Sequence, residues 1–197
     1  MLCASTSSTA TGVITVPEPA LGTADGYFPM LPVGRTWTYT YNNGGSTEII
    51  KAADTTTLKH TLGTVTSSDI FSFPSTGGVL LTSISADTTT SLYVPGLPIF
   101  PVNIVAGSAA KPTSYTVTVS GTTPIEHTVT LTVAGVEATR TVPAGTFNNV
   151  LHIHTANIPS GEGTLKADSW YARGVGLIED TDKKLSVYID STGISHP

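Results

Sequence analysis

The sequence predicts a mainly β fold with little helix: a single curved antiparallel sheet, read as an incomplete barrel or a β-sandwich, built from hairpins. Three observations carry this. Apolar and hydroxyl residues alternate over 36–41 and again over 115–119 and 127–133, the period of a half-buried strand. Turn signals separate the alternating stretches at short intervals. No segment of a dozen residues shows the 3.6-residue repeat of an amphipathic helix, so βαβ units are not expected.

Residues 1–26 read as a Ser/Thr-rich tail, and 27–197 as one antiparallel β domain. The tail holds one short β-prone piece, Val13-Ile14-Thr15-Val16, fenced by Pro17 and Pro19. Such a piece has too little apolar surface to order alone and is expected to be held either by its own domain or by a neighbour's sheet edge. The domain opens at Tyr27. Over 35–41, Trp37, Tyr39 and Tyr41 point one way and Thr36, Thr38 and Thr40 the other. Asn42-Asn43-Gly44-Gly45 is a hairpin turn, because Asn and Gly tolerate positive φ. Residues 47–53 return as the partner strand. Weaker strands are expected over 57–66, 69–73, 78–85 and 90–94. The proline-rich piece Pro95-Gly96-Leu97-Pro98-Ile99-Phe100-Pro101 is expected to break any ladder and cross as an extended apolar segment.

The clearest strands follow. Tyr115, Val117 and Val119 alternate with Thr116 and Thr118; Gly121-Thr122-Thr123-Pro124 turns the chain; His127, Val129, Leu131 and Val133 alternate with Thr128, Thr130 and Thr132. Ala134-Gly135 reads as another turn before 136–142. Val142-Pro143-Ala144-Gly145-Thr146-Phe147 is a tight reversal, with Pro143 presetting φ at the second turn position and Gly145 suiting the last. A longer strand, 147–158, then a loop at 160–163, a strand from Asp168 through Arg173, a kink at Gly174-Val175-Gly176 and a closing hairpin over 177–190 complete the chain.

Composition narrows the function classes. The 197 residues suffice for one ordinary core. Charged residues are 12% of the chain, about half the usual ~25%. Threonine and serine replace them, which fits a secreted or cell-surface β domain as well as a plain Thr-rich one. The net charge of −5 with 9 Lys plus Arg argues against nucleic acid, since counterion release needs clustered cations. No apolar run reaches the ~18 residues of a membrane helix, so a membrane-spanning chain is not expected. The single cysteine, Cys3, excludes an internal disulfide and a thiolate zinc site.

Tyr27-Phe28-Pro29 with Val33-Gly34, Trp37 and Tyr39, then Val142-Pro143-Ala144-Gly145-Thr146-Phe147 with Val150, then Trp170-Tyr171-Ala172 with Gly174-Val175-Gly176-Leu177-Ile178, resemble in order and rough spacing the opening, central turn and closing strand of uncharacterised bacterial envelope lipoproteins. That group is similar to lipoprotein-carrier-like folds, in which a curved sheet forms an incomplete barrel. The resemblance spans 27–190 and implies a scaffold for an apolar ligand or partner, with no catalytic residues to carry over. The group has a lipidated cysteine after a signal peptide. Here Met1-Leu2-Cys3 lacks a charged n-region and an apolar stretch, and leucine precedes Cys3 by one residue instead of three.

Candidate chemistry is sparse. His152 and His154 share one strand face, roughly 6.6 Å apart along the chain. They are read either as two half-exposed side chains or as metal ligands completed from an adjacent strand, with His127 or Glu126 as the expected third. Glu179, Asp180 and Asp182 suit a solvated turn, or weak calcium binding. The stripe of Trp37, Tyr39 and Tyr41 reads as core, with an apolar or sugar-binding groove as the alternative. No nucleophile elbow, phosphate loop or dinucleotide fingerprint is present, so no enzymatic activity and no cofactor are expected. The function expected is a binding or accessory β domain of the cell envelope, cell surface or medium, taking an apolar ligand. The alternative is a filament or sheath subunit that polymerises with itself by adding Val13–Val16 to a neighbour's sheet.

Overall fold

The computed structural model describes residues 26–28, 33–159 and 163–196. The tail segment Val13–Val16 and Cys3 lie outside the described residues, as do the expectations placed on them.

Thirteen strands follow one another with no α-helix among the described residues: β1 (Thr36–Tyr41), β2 (Thr47–Ala52), β3 (Thr57–Leu62), β4 (Val65–Ser72), β5 (Val79–Ala86), β6 (Thr89–Phe100), β7 (Thr113–Val119), β8 (Ile125–Val142), β9 (Gly145–Pro159), β10 (Leu165–Ala172), β11 (Gly176–Asp180), β12 (Lys183–Ile189) and β13 (Ser195–His196). Each pairs antiparallel with the next, so the sheet is a meander. The expected incomplete barrel is in fact closed. β1 pairs with β12 from Thr36 opposite Ile189 to Tyr41 opposite Lys183, which makes a ring of twelve strands. Closure removes the two sheet edges that a curved open sheet leaves unpaired.

Three expected elements differ. The stretch 57–66 is two strands, because Gly63, at φ +60°, reverses the chain between β3 and β4. The proline-rich segment does not leave the sheet: β6 runs through it, with Leu97, Pro98 and Phe100 opposite Leu81, Leu80 and Val79. Register shifts absorb the missing proline donors. Gly96, at φ +149°, lets the backbone pass Leu80, whose Cβ would lie 3.0 Å from any added Cβ. Finally, Ala134-Gly135 is a bulge within one continuous β8.

That bulge and Asn149, at φ +52°, bend the long β8–β9 hairpin. Strict alternation breaks there, and Val150 and Leu151 are consecutive and both fully buried. Before the bend, Val129, Leu131, Val133, Leu151 and Ile153 join a core with Phe71, Leu81, Phe100, Tyr115 and Tyr171. After it, Val142, Ala144, Phe147 and Val150 join a second core with Trp37, Tyr39, Ile178, Leu185 and Tyr188. The hairpin tip reaches β12, where the Ala144 N–H donates to the Leu185 carbonyl at 3.0 Å. β11 and β12 share one backbone pair, Glu179 opposite Lys184, and β13 takes the far end of β12. The tip thus fills the seam between them. Trp37 and Tyr39 of the aromatic stripe are buried core whereas Tyr41 is half-buried, and the Trp37 NH and Tyr39 OH groups donate to Val175 O and Leu177 O, each at 2.7 Å.

Candidate functional site

A ring of twelve strands encloses more volume than a small barrel, and its interior is not completely filled. Between the two cores lies a cavity of about 300 Å³, bounded by described residues. Its walls are apolar and aromatic: Phe28, Leu58, Phe71, Leu81, Ile99 and Leu177 on one side, Trp37 and Tyr39 on the other. One pole is ionic and includes His60, Asp69, Asp180 and Lys183.

The strand period explains this pole. Glu48 precedes Ile50 and Ala52 on the buried face of β2, and His60 follows Leu58 on β3, opposite Ile50 and so diagonal to Glu48 across the ladder. Asp69 precedes Phe71 on β4, and Lys183 opens β12 opposite Tyr41. The Glu48 carboxylate receives His60 Nδ1 at 2.9 Å on one oxygen and the Lys183 ammonium on the other. Burial pushes the His60 imidazole down, but Asp69 (Nε2 to Oδ2, 3.2 Å) and Glu48 outweigh it and hold the group up at about 9. Burial pushes Glu48 up, and hydrogen bonds from His60 and Lys183 outweigh it, to about 2. Lys183 also lies over the Tyr39 ring, 4.8 Å from its centre. Both cations are therefore committed to Glu48, which stands behind the lining. Asp180 faces the cavity without a salt bridge among the described contacts. Its Oδ1 accepts the backbone N–H groups of Asp182 and Lys183, and burial raises its carboxyl above the ordinary range.

A second cluster sits on the opposite face of the wall. Leu151 and Ile153 point inward, so His152 and His154 point outward from β9. The neighbouring β10 places Asp168 opposite His154 and Trp170 opposite His152. Asp168 Oδ1 lies 2.6 Å from His152 Nε2 and 2.5 Å from His154 Nδ1. The His152 ring stacks on Trp170 with centroids 4.5 Å apart. Trp170 Nε1 donates to Glu137 Oε1 at 2.7 Å, and Arg140, 3.7 Å over the Trp170 ring, bonds both Glu137 and Glu179.

The structure brings His152 and His154 together as the sequence implies, but the third donor differs from the expected one. His127 stacks on Tyr115, opposite Pro159 at the other end of β9, and Glu126 lies beside it, opposite Thr116. Asp168 takes the place, because a neighbouring strand in register supplies it. The carboxylates at 179, 180 and 182 do not form a calcium cluster: Glu179 pairs with Arg140 and Lys184, whereas Asp180 turns to the cavity. His60, Asp69 and Lys183 were not singled out from sequence. The signal available was a charged residue in phase with the buried face of each strand, such as Glu48 two before Ile50.

No helix among the described residues is long and apolar enough to cross a membrane. No family model, curated protein or solved structure matches this chain.

Proposed function

We propose that this chain is a non-catalytic binding module working outside the cytoplasm, in the cell envelope, at the cell surface or in the medium, and that it holds a small amphipathic molecule inside its barrel. The observation that carries the reading is the half-open cavity of about 300 Å³ between the two cores, apolar along its walls and ionic at one pole. That volume is at the lower end of small-molecule sites, and one polar end fixes orientation. The ligand has an apolar body and a hydrogen-bond-donating head, an amine or a hydroxyl. The cations of the pole are taken by Glu48, while the Asp180 carboxylate faces the cavity.

The Thr-rich, weakly charged outer face supports the location, as does the resemblance to envelope lipoproteins. Val129, Leu131 and Val133 are buried, and the threonines between them face outward. This is the reverse of a membrane barrel, which puts its apolar band on the outside. Filament assembly has less support from the described residues, because β1 and β12 pair with each other and offer no long free edge. His152, His154 and Asp168 do not line the cavity, so they do not make it a reaction site.

The test uses Trp37, which lines the cavity, as sole reporter in a Trp170→Phe background. Octylamine and octanol are titrated against octanoate. Saturable changes in Trp37 emission with the first two, lost when Leu58 and Ile99 are both replaced by Phe, are expected. Equal binding by the filled variant, or no saturable change with any of the three, overturns the reading. A preference for octanoate overturns the assignment of the head group.

A further inference from the structure

We infer that His152, His154 and Asp168 form a binding site for a divalent d-block cation, Zn²⁺ above all, on the outer face of β9 and β10. The three donor atoms lie within 4.8 Å of one another. They come from two adjacent strands of the same ladder, which fixes their Cα positions. His152 and His154 are two apart on β9, and Asp168 is the direct partner of His154. Two imidazoles and one carboxylate form a borderline donor set that suits zinc, copper or nickel over magnesium or calcium.

The distances fit after a small rearrangement, in which the two Asp168 gaps open and the two ring nitrogens, now within 4.8 Å of each other, settle at the tetrahedral spacing. Bonds of about 2.0–2.1 Å in a tetrahedron set donors roughly 3.3 Å apart. Asp168 Oδ1 now stands 2.6 and 2.5 Å from the two ring nitrogens. Each gap must widen by roughly 0.8 Å to meet that spacing. His154, with its side chain 58% exposed, and Asp168, at 34%, have room to turn outward. Three protein donors leave a fourth position for water or an incoming ligand.

The surroundings are those of a held ligand. Stacking on Trp170 fixes the plane of the His152 ring. In this structure His152 Nε2 donates to Asp168; with a cation bound at Nε2 the proton would sit on Nδ1, and the Glu137 carboxylate stands 4.0 Å from that nitrogen. Glu137 is itself held by Trp170 Nε1 and Arg140. A negative charge beside the distal nitrogen of a ligating imidazole sets its tautomer and strengthens it as a donor. Glu137 is thus a positioning residue for His152.

The experiment is calorimetry and Co²⁺ absorption on tag-free full chain, with Zn²⁺ and Co²⁺ as probes and Mg²⁺ and Ca²⁺ as competitors. One equivalent of Zn²⁺ should bind, unaffected by the competitors. Co²⁺ should give the visible bands of a four- or five-coordinate site. His154→Ala and Asp168→Asn should each weaken Zn²⁺ by on the order of 100-fold, and Glu137→Gln by about 10-fold with shifted Co²⁺ bands. His127→Ala and His196→Ala should bind as the parent does. His154 and Asp168 carry little of the core, and the far-ultraviolet spectrum of each variant checks the fold. Absence of stoichiometric Zn²⁺ binding, or binding that survives both His154→Ala and Asp168→Asn, overturns the inference.

Discussion

The Ala144 N–H donates to the Leu185 carbonyl across 3.0 Å, and this contact fastens the β8–β9 tip to β12 where β11 and β12 share only one backbone pair. Ala144 is fully buried among Trp37, Phe147, Val175 and Leu185. A larger side chain has nowhere to go without lifting the tip. Ala144→Leu should cost about 1–3 kcal/mol, the range for overpacking a filled core. Hydrogen exchange should quicken at Ala144 and at β11 and β12 before it does at β3 and β4. Uniform loss of protection across all strands would mean that the tip is ordinary core and closes no seam.

Much of this architecture is legible in the sequence. Trp37 and Tyr39 against Thr36 and Thr38 gave the inward face of β1, and Pro143-Ala144-Gly145 gave the hairpin turn. Ring closure was not legible, because it depends on β12 meeting β1 across 148 residues at Ser186 and Thr38, and strand periodicity says nothing of distant pairing. Gly135 misled for a local reason: one glycine in a strand suits a bulge as well as a turn. Of the outer cluster, the two histidines were visible as a pair. Asp168 was not, since its place beside His154 follows from the β9–β10 register. The ionic pole of the cavity was hidden because its members come from four strands, and each reads alone as a surface charge.

The pole makes stability depend on pH in both directions. His60 is held at about 9 in the fold against an ordinary value near 6.5. Its contribution is complete below about 6.5 and is lost as pH rises through 9. Glu48 is held at about 2, so its contribution is present above about 4.5 and is lost as pH falls toward 2. The two shifts describe one contact in part and are not summed. Denaturant midpoints should therefore fall between pH 6.5 and 9, by on the order of 2 kcal/mol in stability. In His60→Gln that slope should flatten, and a slope unchanged in the variant would assign it to other groups.

Tyr39 anchors the cavity wall. Its hydroxyl is buried and donates to Leu177 O at 2.7 Å, and burial raises its pKa well above the ordinary tyrosine range. Tyr39→Phe leaves that carbonyl without its side-chain donor, which should cost about 1–3 kcal/mol. Lys183 keeps an aromatic face in the variant, so its contact with the ring should persist. Thermal denaturation at neutral pH measures the loss. A change within a few tenths of a kcal/mol would show that Leu177 O finds water instead.

Arg140 ties the distal hairpin to the closing strands. Its Nε lies 2.6 Å from Glu179 Oε2, its Nη1 bonds Glu137, and its guanidinium covers the Trp170 ring. Burial pushes Glu179 up, but hydrogen bonds from Arg140 and Lys184 hold its carboxyl below the ordinary range. Arg140→Ala leaves Glu179 with Lys184 at 3.2 Å as its remaining partner. Glu179 is buried but Arg140 keeps some contact with solvent, so the loss should be smaller than the 3–5 kcal/mol of a fully buried pair, roughly 2 kcal/mol at neutral pH. The sign with pH follows. The lowered Glu179 pKa stabilises the fold above the ordinary carboxylate range, and that contribution is lost on acidification. The gap between parent and variant, read from urea midpoints, should therefore shrink as pH falls below 4. Trp170 emission should also shift in the variant, because the cation over its ring is gone. A gap that stays constant from pH 7 to 3 would assign the loss to the packing of the arginine stem.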